Sequence, residues 1–256
     1  MDLGRRYLDL LKRTLTGTIY AEEPARSGVP VEKYLEQFIG HYFANPYPHT
    51  CVPLARLDNV DHCVRAALGD GIAGDLVETG VWRGGVTIYM RAMLDVLGDE
   101  ERVVWAADSF EGLPRPDPTL YPKEAAAHDG PLLSGPLDNL AVSLEDVQKN
   151  FASYGLLDDR VKFLKGWFKD TLPDAPIEQI AVLRLDGDYY ESTRDPLLAL
   201  YDKVTDGGFI IVDDYGEDDW TYCRQAIDEF RGARQIDAPI HVVDGQCVYW
   251  RKGGDR

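Results

Sequence analysis

The chain has 256 residues, of which 45% are hydrophobic and 28% charged, the composition of a soluble globular protein large enough for one α/β domain. A formal net charge of −17 and the lack of any long basic cluster argue against a nucleic-acid substrate, because phosphate binding needs a face rich in Lys and Arg. No apolar run reaches the roughly 18 residues that cross a bilayer. The four cysteines form no CxxC pair, so neither zinc nor disulfides are expected, and a cytoplasmic location is the simplest prediction.

Helical spacing of apolar residues dominates the first 70 residues, and an alternation of strands and helices follows Gly69. This alternation is typical of a parallel sheet with crossover helices. Strands are predicted near 75–79, 102–107, 161–164, 180–185 and 208–212, and helices at about 85–97, 144–153, 192–202 and 221–232. The last apolar stretches, PIHVVD and CVYWR, predict a terminal antiparallel pair. The α/β chain is therefore expected to form a seven-stranded, mostly parallel sheet behind an N-terminal helical extension.

Two segments have no clear periodicity. The stretch 113–142 contains six prolines and is too long for a simple connector, so it is interpreted as a lid or substrate loop. The acidic segment 216–219 follows the last parallel strand, and its role is left open.

A glycine-bearing turn follows the first strand, in DLVETGVWRGG, where Glu78 ends the strand and Gly80 opens the turn. Ligands of open α/β sheets bind outside the carboxyl ends of the strands. Asp108 ends the next strand and could hold both ribose hydroxyls of a nucleoside, or simply cap a helix. The motifs fit NAD and S-adenosylmethionine alike, although GxGxxG is missing. Arg83 could contact the cofactor or cap the turn.

Acidic residues also end two later strands. Asp186 follows AVLRL, with Asp188 two residues on, and Asp213 and Asp214 follow GGFIIV. If these strands are neighbours, their carboxylates converge and repel one another unless a cation neutralises them. Oxygen ligands suit Mg²⁺, which would lower the pKa of a coordinated hydroxyl. The alternative is a set of separate helix caps and turn residues.

Six motifs in this order carry a family resemblance: VETGVWRGG, WAADSFEGLP, NFASYGLLDD, FLKGWFKDTLP, AVLRLDGD and GGFIIVDDY. From about Tyr7 to Trp250 the chain closely resembles the macrocin O-methyltransferase family, which methylates deoxysugars of macrolide and aminocoumarin antibiotics. The resemblance implies a class I S-adenosylmethionine-dependent methyltransferase fold, which is Rossmann-like. It also implies Mg²⁺, a glycosylated natural product as substrate, and a homodimer or higher homo-oligomer. Residues 1–70 would form an extension for oligomerisation or substrate cover, and residues 71–256 the methyltransferase domain.

The resemblance also assigns site residues, motif by motif. The implied metal ligands are Asp186, Asp213 and Asp214, with Asp186 also the catalytic base. The implied cofactor-binding residues are Thr50, Glu78, Thr79, Gly80, Asp108, Ser109, Trp167, Phe168 and Asp186. Trp167 and Phe168 could equally be core residues.

Rival functions remain open. A catechol-type O-methyltransferase would share the metal geometry, but such enzymes carry a lysine shortly after the first metal aspartate, and GDYYES has none. An NAD-dependent dehydrogenase is disfavoured by the missing GxGxxG, and a non-catalytic S-adenosylmethionine-binding module would have no use for a metal. Residues 189–191 depart from the small residues typical of the family and are expected to face the active site. His49 and His128 could be bases or ordinary loop histidines.

Overall fold

The computed structural model describes residues 2–24, 28, 30–130, 140–216 and 221–254. Its N-terminal part contains the helices α1 (Leu3–Leu15), α2 (Val31–Phe38), which continues into a π-helical turn (Ile39–Phe43), and α3 (Leu54–Gly69). Helix α1 begins after Asp2, whose side chain accepts the N–H of Arg5 at 2.7 Å and so satisfies a free donor of the first turn. Across the described ranges, no helix combines the length and the apolar character needed to span a membrane.

Seven strands of the described chain form one sheet. They are β1 (Asp75–Thr79), β2 (Val104–Asp108), β3 (Val161–Lys165), β4 (Ile180–Leu185), β5 (Val204–Val212), β6 (His241–Val242) and β7 (Val248–Arg251). Their order is β3-β2-β1-β4-β5-β7-β6. Strands β1 to β5 are parallel, and β7 is antiparallel to both β5 and β6. The predicted seven-stranded, mostly parallel sheet is confirmed.

Helices cover both faces of the sheet. The helices that follow β1 in the described chain are α4 (Gly85–Leu97), α5 (Pro122–His128), α6 (Leu144–Ser153), α7 (Phe168–Thr171), α8 (Tyr190–Leu200) and α9 (Thr221–Ala233). Successive strand residues point to opposite faces, so Leu76 joins a core beneath α1, α3 and α4, whereas Val77 joins a core beneath α8 and α9. Burial on both faces explains why the central strands are continuous apolar runs rather than alternating ones.

Helix α3 packs into the same core as the sheet, through Leu57, Val60 and Val64, which are fully buried. Leu11 and Leu15 bring α1 into this core as well. Helices α1 and α3 therefore share one hydrophobic core with the sheet. The functional division at residue 70 is not tested by this packing and stays a prediction.

Several predicted boundaries shift by a few residues, and β2, expected at 102–107, is one of them. Strand β5 begins at Val204, four residues before the predicted 208, because Val204 pairs with Ile180 ahead of a register shift. Helix α8 begins at Tyr190 rather than 192, because the carboxylate of Glu124, distant in sequence, accepts the Tyr190 N–H at 2.8 Å. The stretch 113–142 also contains a helix, α5, which starts with Pro122 at a position that needs no N–H donor. Residues 131–139 of that stretch, and 217–219 of the acidic segment, lie outside the described residues.

Candidate active site

The candidate site lies where four neighbouring strands end. Strands β2, β1, β4 and β5 are adjacent in this order, and their carboxyl ends lead into Asp108, Gly80, Asp186 and Asp213. The carboxyl edge of an open parallel sheet is where such folds bind their ligands. The acidic residues predicted for the site are therefore brought to one edge by the strand order itself.

The turn after β1 touches the start of the turn after β4. Gly80 has a φ of +85°, a conformation that favours glycine. A Cβ on Gly80 would lie 2.7 Å from the carbonyl carbon of Asp186 and closer still to its oxygen. The Asp186 N–H in turn donates to the carbonyl of the buried Thr79 at 2.9 Å. A ligand bound along this turn would thus lie beside Asp186.

A segment from the N-terminal region holds the other end of the turn. The Gly85 N–H donates to the carbonyl of His49 at 2.9 Å, and a Cβ on Gly85 would lie 2.7 Å from the Cβ of Thr50. One terminal nitrogen of Arg83 donates to the carbonyls of Tyr42, Asn45 and Pro48 at 2.8–3.1 Å. Arg83 therefore fastens the 42–48 segment to the turn. Thr50 is buried against the turn where the predicted cofactor pocket would be.

Asp108 joins the turns after β1 and β2. Its carboxylate accepts the N–H groups of Val81 at 2.7 Å and Phe110 at 2.8 Å. Burial raises the pKa of Asp108, and these backbone donors oppose the rise. The carboxylate is thereby fixed at the mouth of the turn, the position expected for a ribose-binding residue.

The neighbours predicted around Asp108 also lie at this edge. The Ser109 hydroxyl donates to the carbonyl of Gly112 at 2.7 Å, so it shapes the turn after β2. The Gly166 N–H donates to the carbonyl of Asp108 at 2.9 Å, which brings the half-buried Trp167 and Phe168 next to the strand end. Phe168 packs partly against the core. A contact of Trp167 or Phe168 with the cofactor stays a prediction.

Three carboxylates, one of them that of Asp186, lie close together at the ends of β4 and β5. Asp186, Asp188 and Asp214 each offer an oxygen, and these oxygens all lie within 4.8 Å of one another. Asp188 has a φ of +62°, which folds it back so that its N–H donates to Asp214 at 3.2 Å. Burial raises the pKa of all three carboxyls, and the charges of neighbouring carboxylates, with Asp213 acting on each of the three, raise it further. A cation would relieve this repulsion, and a donor set made only of oxygen fits a hard ion such as Mg²⁺.

Asp213, an implied metal ligand, lies beside this cluster with a different set of partners. One of its oxygens is bonded to Arg56 and the other to Arg184. A metal bond from Asp213 would be additional to these two ion pairs. The spacing of Asp186 and Asp188 pointed to a second carboxylate on the β4 turn, but Asp188 was not among the predicted ligands.

Arg184 is fully buried at the centre of the carboxylates. One of its nitrogens donates to Glu78 at 2.6 Å and to Asp186 at 2.8 Å, and the other donates to Asp213. The second oxygen of Glu78 accepts the Thr87 hydroxyl. Burial raises the pKa of Glu78 to about 7, and Arg184 opposes the rise. Glu78 is thus braced inside the protein, and its predicted place along the cofactor stays a prediction. The charged residue inside the apolar run AVLRL was the sequence signal for this network.

Tyr189 and Tyr190, two of the residues that depart from the family pattern, follow Asp188 directly. Tyr189 is buried, and its hydroxyl lies 3.3 Å from Nδ1 of His128. Tyr190 stacks on Tyr121, with 5.0 Å between ring centroids, and so ties α8 to the chain just before α5. The Cys223 thiol donates to the carbonyl of Asp188 at 2.8 Å. Part of the stretch 113–142 is thereby fixed near the carboxylates.

His49 does not share the acidic cluster. Its Nδ1 lies 2.9 Å from the hydroxyl of Tyr154, which follows α6. Burial, with a smaller contribution from the charge of Arg83, lowers the pKa of His49 to about 4. A neutral histidine bonded to a tyrosine fits the loop role better than that of a catalytic base.

Comparison with known proteins gives a consistent result. The family model described as macrocin-O-methyltransferase (TylF) matches residues 44–252. The 8-demethyl-8-(2,3-dimethoxy-alpha-L-rhamnosyl)-tetracenomycin-C 4′-O-methyltransferase of Streptomyces olivaceus is 48% identical, over 98% of this chain and 94% of that protein. The mycinamicin III 3″-O-methyltransferase of Micromonospora griseorubida is 44% identical, over 96% of each. The solved structure of the O-methyltransferase NovP superposes with a TM-score of 0.84 at 44% identity, covering 97% of this chain and 99% of NovP.

Proposed function

The chain belongs to the macrocin O-methyltransferase family, and on that premise we propose that it methylates a deoxysugar hydroxyl of a secondary metabolite, using S-adenosylmethionine and Mg²⁺. The sheet of this chain has the predicted class I methyltransferase fold. The structural relative NovP shares that fold. The relative from S. olivaceus is named for a rhamnosyl acceptor in an antibiotic-type glycoside, which supports a sugar acceptor here. The methylated position is not inherited, because the two relatives are named for 4′ and 3″ oxygens.

The contact between Gly80 and Asp186 is the observation that carries the proposal. The turn expected to bind the methyl donor touches the first of three clustered carboxylates. A donor on the turn and an acceptor hydroxyl at the carboxylates would be neighbours, and holding two reactants in place supplies much of the rate of a bimolecular reaction. Neither a dehydrogenase nor a simple binding module has a use for that juxtaposition.

The residues of this chain would carry out the proton transfer that accompanies methyl transfer. Asp186 accepts the proton of the acceptor hydroxyl at a carboxylate oxygen. The hydroxyl oxygen forms a bond to the methyl carbon as the bond from that carbon to sulfur breaks, and S-adenosylhomocysteine leaves. Burial and the nearby charge of Asp213 raise the pKa of Asp186, which makes it a better proton acceptor, while Arg184 keeps it oriented.

The acidic cluster is the place for the cation. Asp186, Asp188 and Asp214 would hold it by their observed proximity, and Asp213 by the family resemblance. When bound, Mg²⁺ lowers the pKa of a coordinated hydroxyl. The cation also neutralises carboxylates that otherwise repel one another.

Self-association belongs to the same proposal. Helix α1 exposes an apolar stripe of Leu3, Tyr7 and Leu10, which are 82%, 40% and 53% exposed. We place the contact with a second copy of the chain on this stripe, in line with the predicted role of the N-terminal extension. Sedimentation of wild type and Leu10→Glu tests it, since a dimer of unchanged affinity in the variant would remove α1 from the interface.

The reaction is tested by the release of S-adenosylhomocysteine over a panel of desmethyl deoxysugar glycosides and simple catechols, with Mg²⁺ or EDTA. We expect turnover on a glycoside that requires Mg²⁺ and is lost in Asp186→Asn. Asp202→Asn is the matched control, because Asp202 is 69% exposed, pairs with Arg234 and lies before β5, at the opposite edge of the sheet. Turnover on catechols alone would assign the chain to the catechol-type rival.

A further inference from the structure

Arg56 is a buried cation that α3 brings to the carboxylate edge. It is only 8% exposed, and α3 belongs to the N-terminal region rather than to the sheet. Its guanidinium contacts Asp213 at the end of β5. It also donates to Asp244 at 2.7 Å and to the Gln246 side chain at 2.9 Å, both in the turn before β7.

These contacts secure both chain neighbours of Asp214. Asp213, the residue before it, is bonded to Arg56 directly. Tyr215, the residue after it, donates its N–H at 2.6 Å to the backbone carbonyl of Gln246, whose side chain Arg56 holds. One guanidinium that spans the β5 end and the opposing turn therefore supports the backbone on both sides of Asp214.

The turn before β7 is itself rigid. Asp244 accepts the N–H groups of Gln246 and Cys247, both at 2.8 Å, in addition to its bond from Arg56. Arg56 thus links the end of β5 to a turn that its own hydrogen bonds hold in place. A planar fork of five donors can make these contacts at once, whereas a single ammonium group cannot.

We propose that Arg56 is a positioning residue that aims Asp214 into the acidic cluster, so that the N-terminal region completes the metal-binding edge. The inference rests on the proposed function, because it gives Asp214 a part in holding the cation. Residues that orient metal ligands without binding the metal themselves typically change metal affinity or activity by about 10–100-fold when they are substituted.

The test compares Arg56→Lys with a matched control, Arg91→Lys. Arg91 is 3% exposed and forks between Asp95 at 2.6 Å and Asp158, far from the carboxylate edge. Both substitutions keep the positive charge and replace a buried planar guanidinium by an ammonium group. Four quantities are measured: Mn²⁺ affinity by electron paramagnetic resonance, S-adenosylhomocysteine affinity by calorimetry, kcat on a glycoside, and Tm.

We expect Arg56→Lys to weaken Mn²⁺ binding and to lower kcat, each by about 10–100-fold, with S-adenosylhomocysteine affinity unchanged. Arg91→Lys should lower Tm and leave the other three quantities as in wild type. Wild-type Mn²⁺ affinity in Arg56→Lys, or equal losses in all three functional readouts for both variants, overturns the positioning role alone. A wild-type protein that binds no Mn²⁺ overturns the metal-dependent function, and the inference falls with it.

Discussion

A methyl group added at Gly80 would disturb the cofactor turn and Asp186 together. Gly80 has a φ of +85°, and the backbone of any other L-residue is strained there by about 1–2 kcal/mol. The new Cβ would also lie 2.7 Å from the Asp186 carbonyl carbon and closer to its oxygen, so one of the two turns must move. Overpacking of this kind costs a further 1–3 kcal/mol or so.

Gly80→Ala is therefore expected to lower the free energy of unfolding by about 2–5 kcal/mol. For a chain of this size that corresponds to a fall in Tm of about 4–20 °C. Activity should fall further than stability alone explains, because a displacement of about 1 Å between the reactants costs roughly 100-fold in rate. The affinity for S-adenosylhomocysteine should fall as well, since the turn itself is displaced.

Gly98→Ala is the matched control. Gly98 has a φ of +71°, but nothing lies within 4 Å of a Cβ added there, and it caps the far end of α4. It should lower Tm through backbone strain alone and keep kcat and cofactor affinity. If Gly80→Ala keeps both functional quantities and loses no more Tm than Gly98→Ala in thermal unfolding, calorimetry and kinetics, the turn does not position the cofactor beside Asp186.

Three further results are expected. Asp108→Asn replaces a carboxylate that accepts two backbone N–H groups, so calorimetry should show S-adenosylhomocysteine binding weakened by about 10-fold, and an unchanged Kd would remove Asp108 from the cofactor site. Burial raises the pKa of Glu124 from 4.5 to about 7, so the folded protein retains a proton that the unfolded chain releases, and stability falls as pH rises through this range. The free energy of unfolding of Glu124→Gln relative to the wild type should therefore rise from pH 5 to pH 8, by roughly 1 kcal/mol, and parallel curves of Tm against pH would contradict this. Mg²⁺ at about 100 times its Kd should stabilise the wild type by about 2.7 kcal/mol and Asp214→Asn much less, and equal Tm shifts would place the ion elsewhere.

Much of the architecture could be predicted because buried parallel strands are continuous apolar runs with acidic residues at their ends. The limits β1 (Asp75–Thr79) and β4 (Ile180–Leu185) coincide with those expected. Helix α5 (Pro122–His128) was not foreseen, since seven residues give too few turns for a periodic pattern.

The directions of individual carboxylates could not be predicted. Asp213 and Asp214 are consecutive at a strand end, where successive side chains diverge, and the sequence does not say which one faces the cluster. In the structure, Asp213 is bonded to two arginines, whereas Asp214 belongs to the acidic cluster. Asp188 joins the cluster only because its positive φ folds the turn back. Arg56 lies on a helix and is separated from Asp213 by 157 residues of sequence. A local sequence pattern cannot predict a pairing between residues so far apart.

We propose that the glycine turn and the acidic cluster act as one site for metal-dependent methylation of a sugar. The most direct measurement is the location of a trideuteromethyl group after incubation with labelled S-adenosylmethionine and a desmethyl rhamnosyl glycoside, by tandem mass spectrometry, with Mg²⁺ or EDTA. We expect a labelled sugar fragment whose yield falls to background in EDTA. Label on an aglycone hydroxyl, or a labelled sugar formed equally well in EDTA, would contradict it.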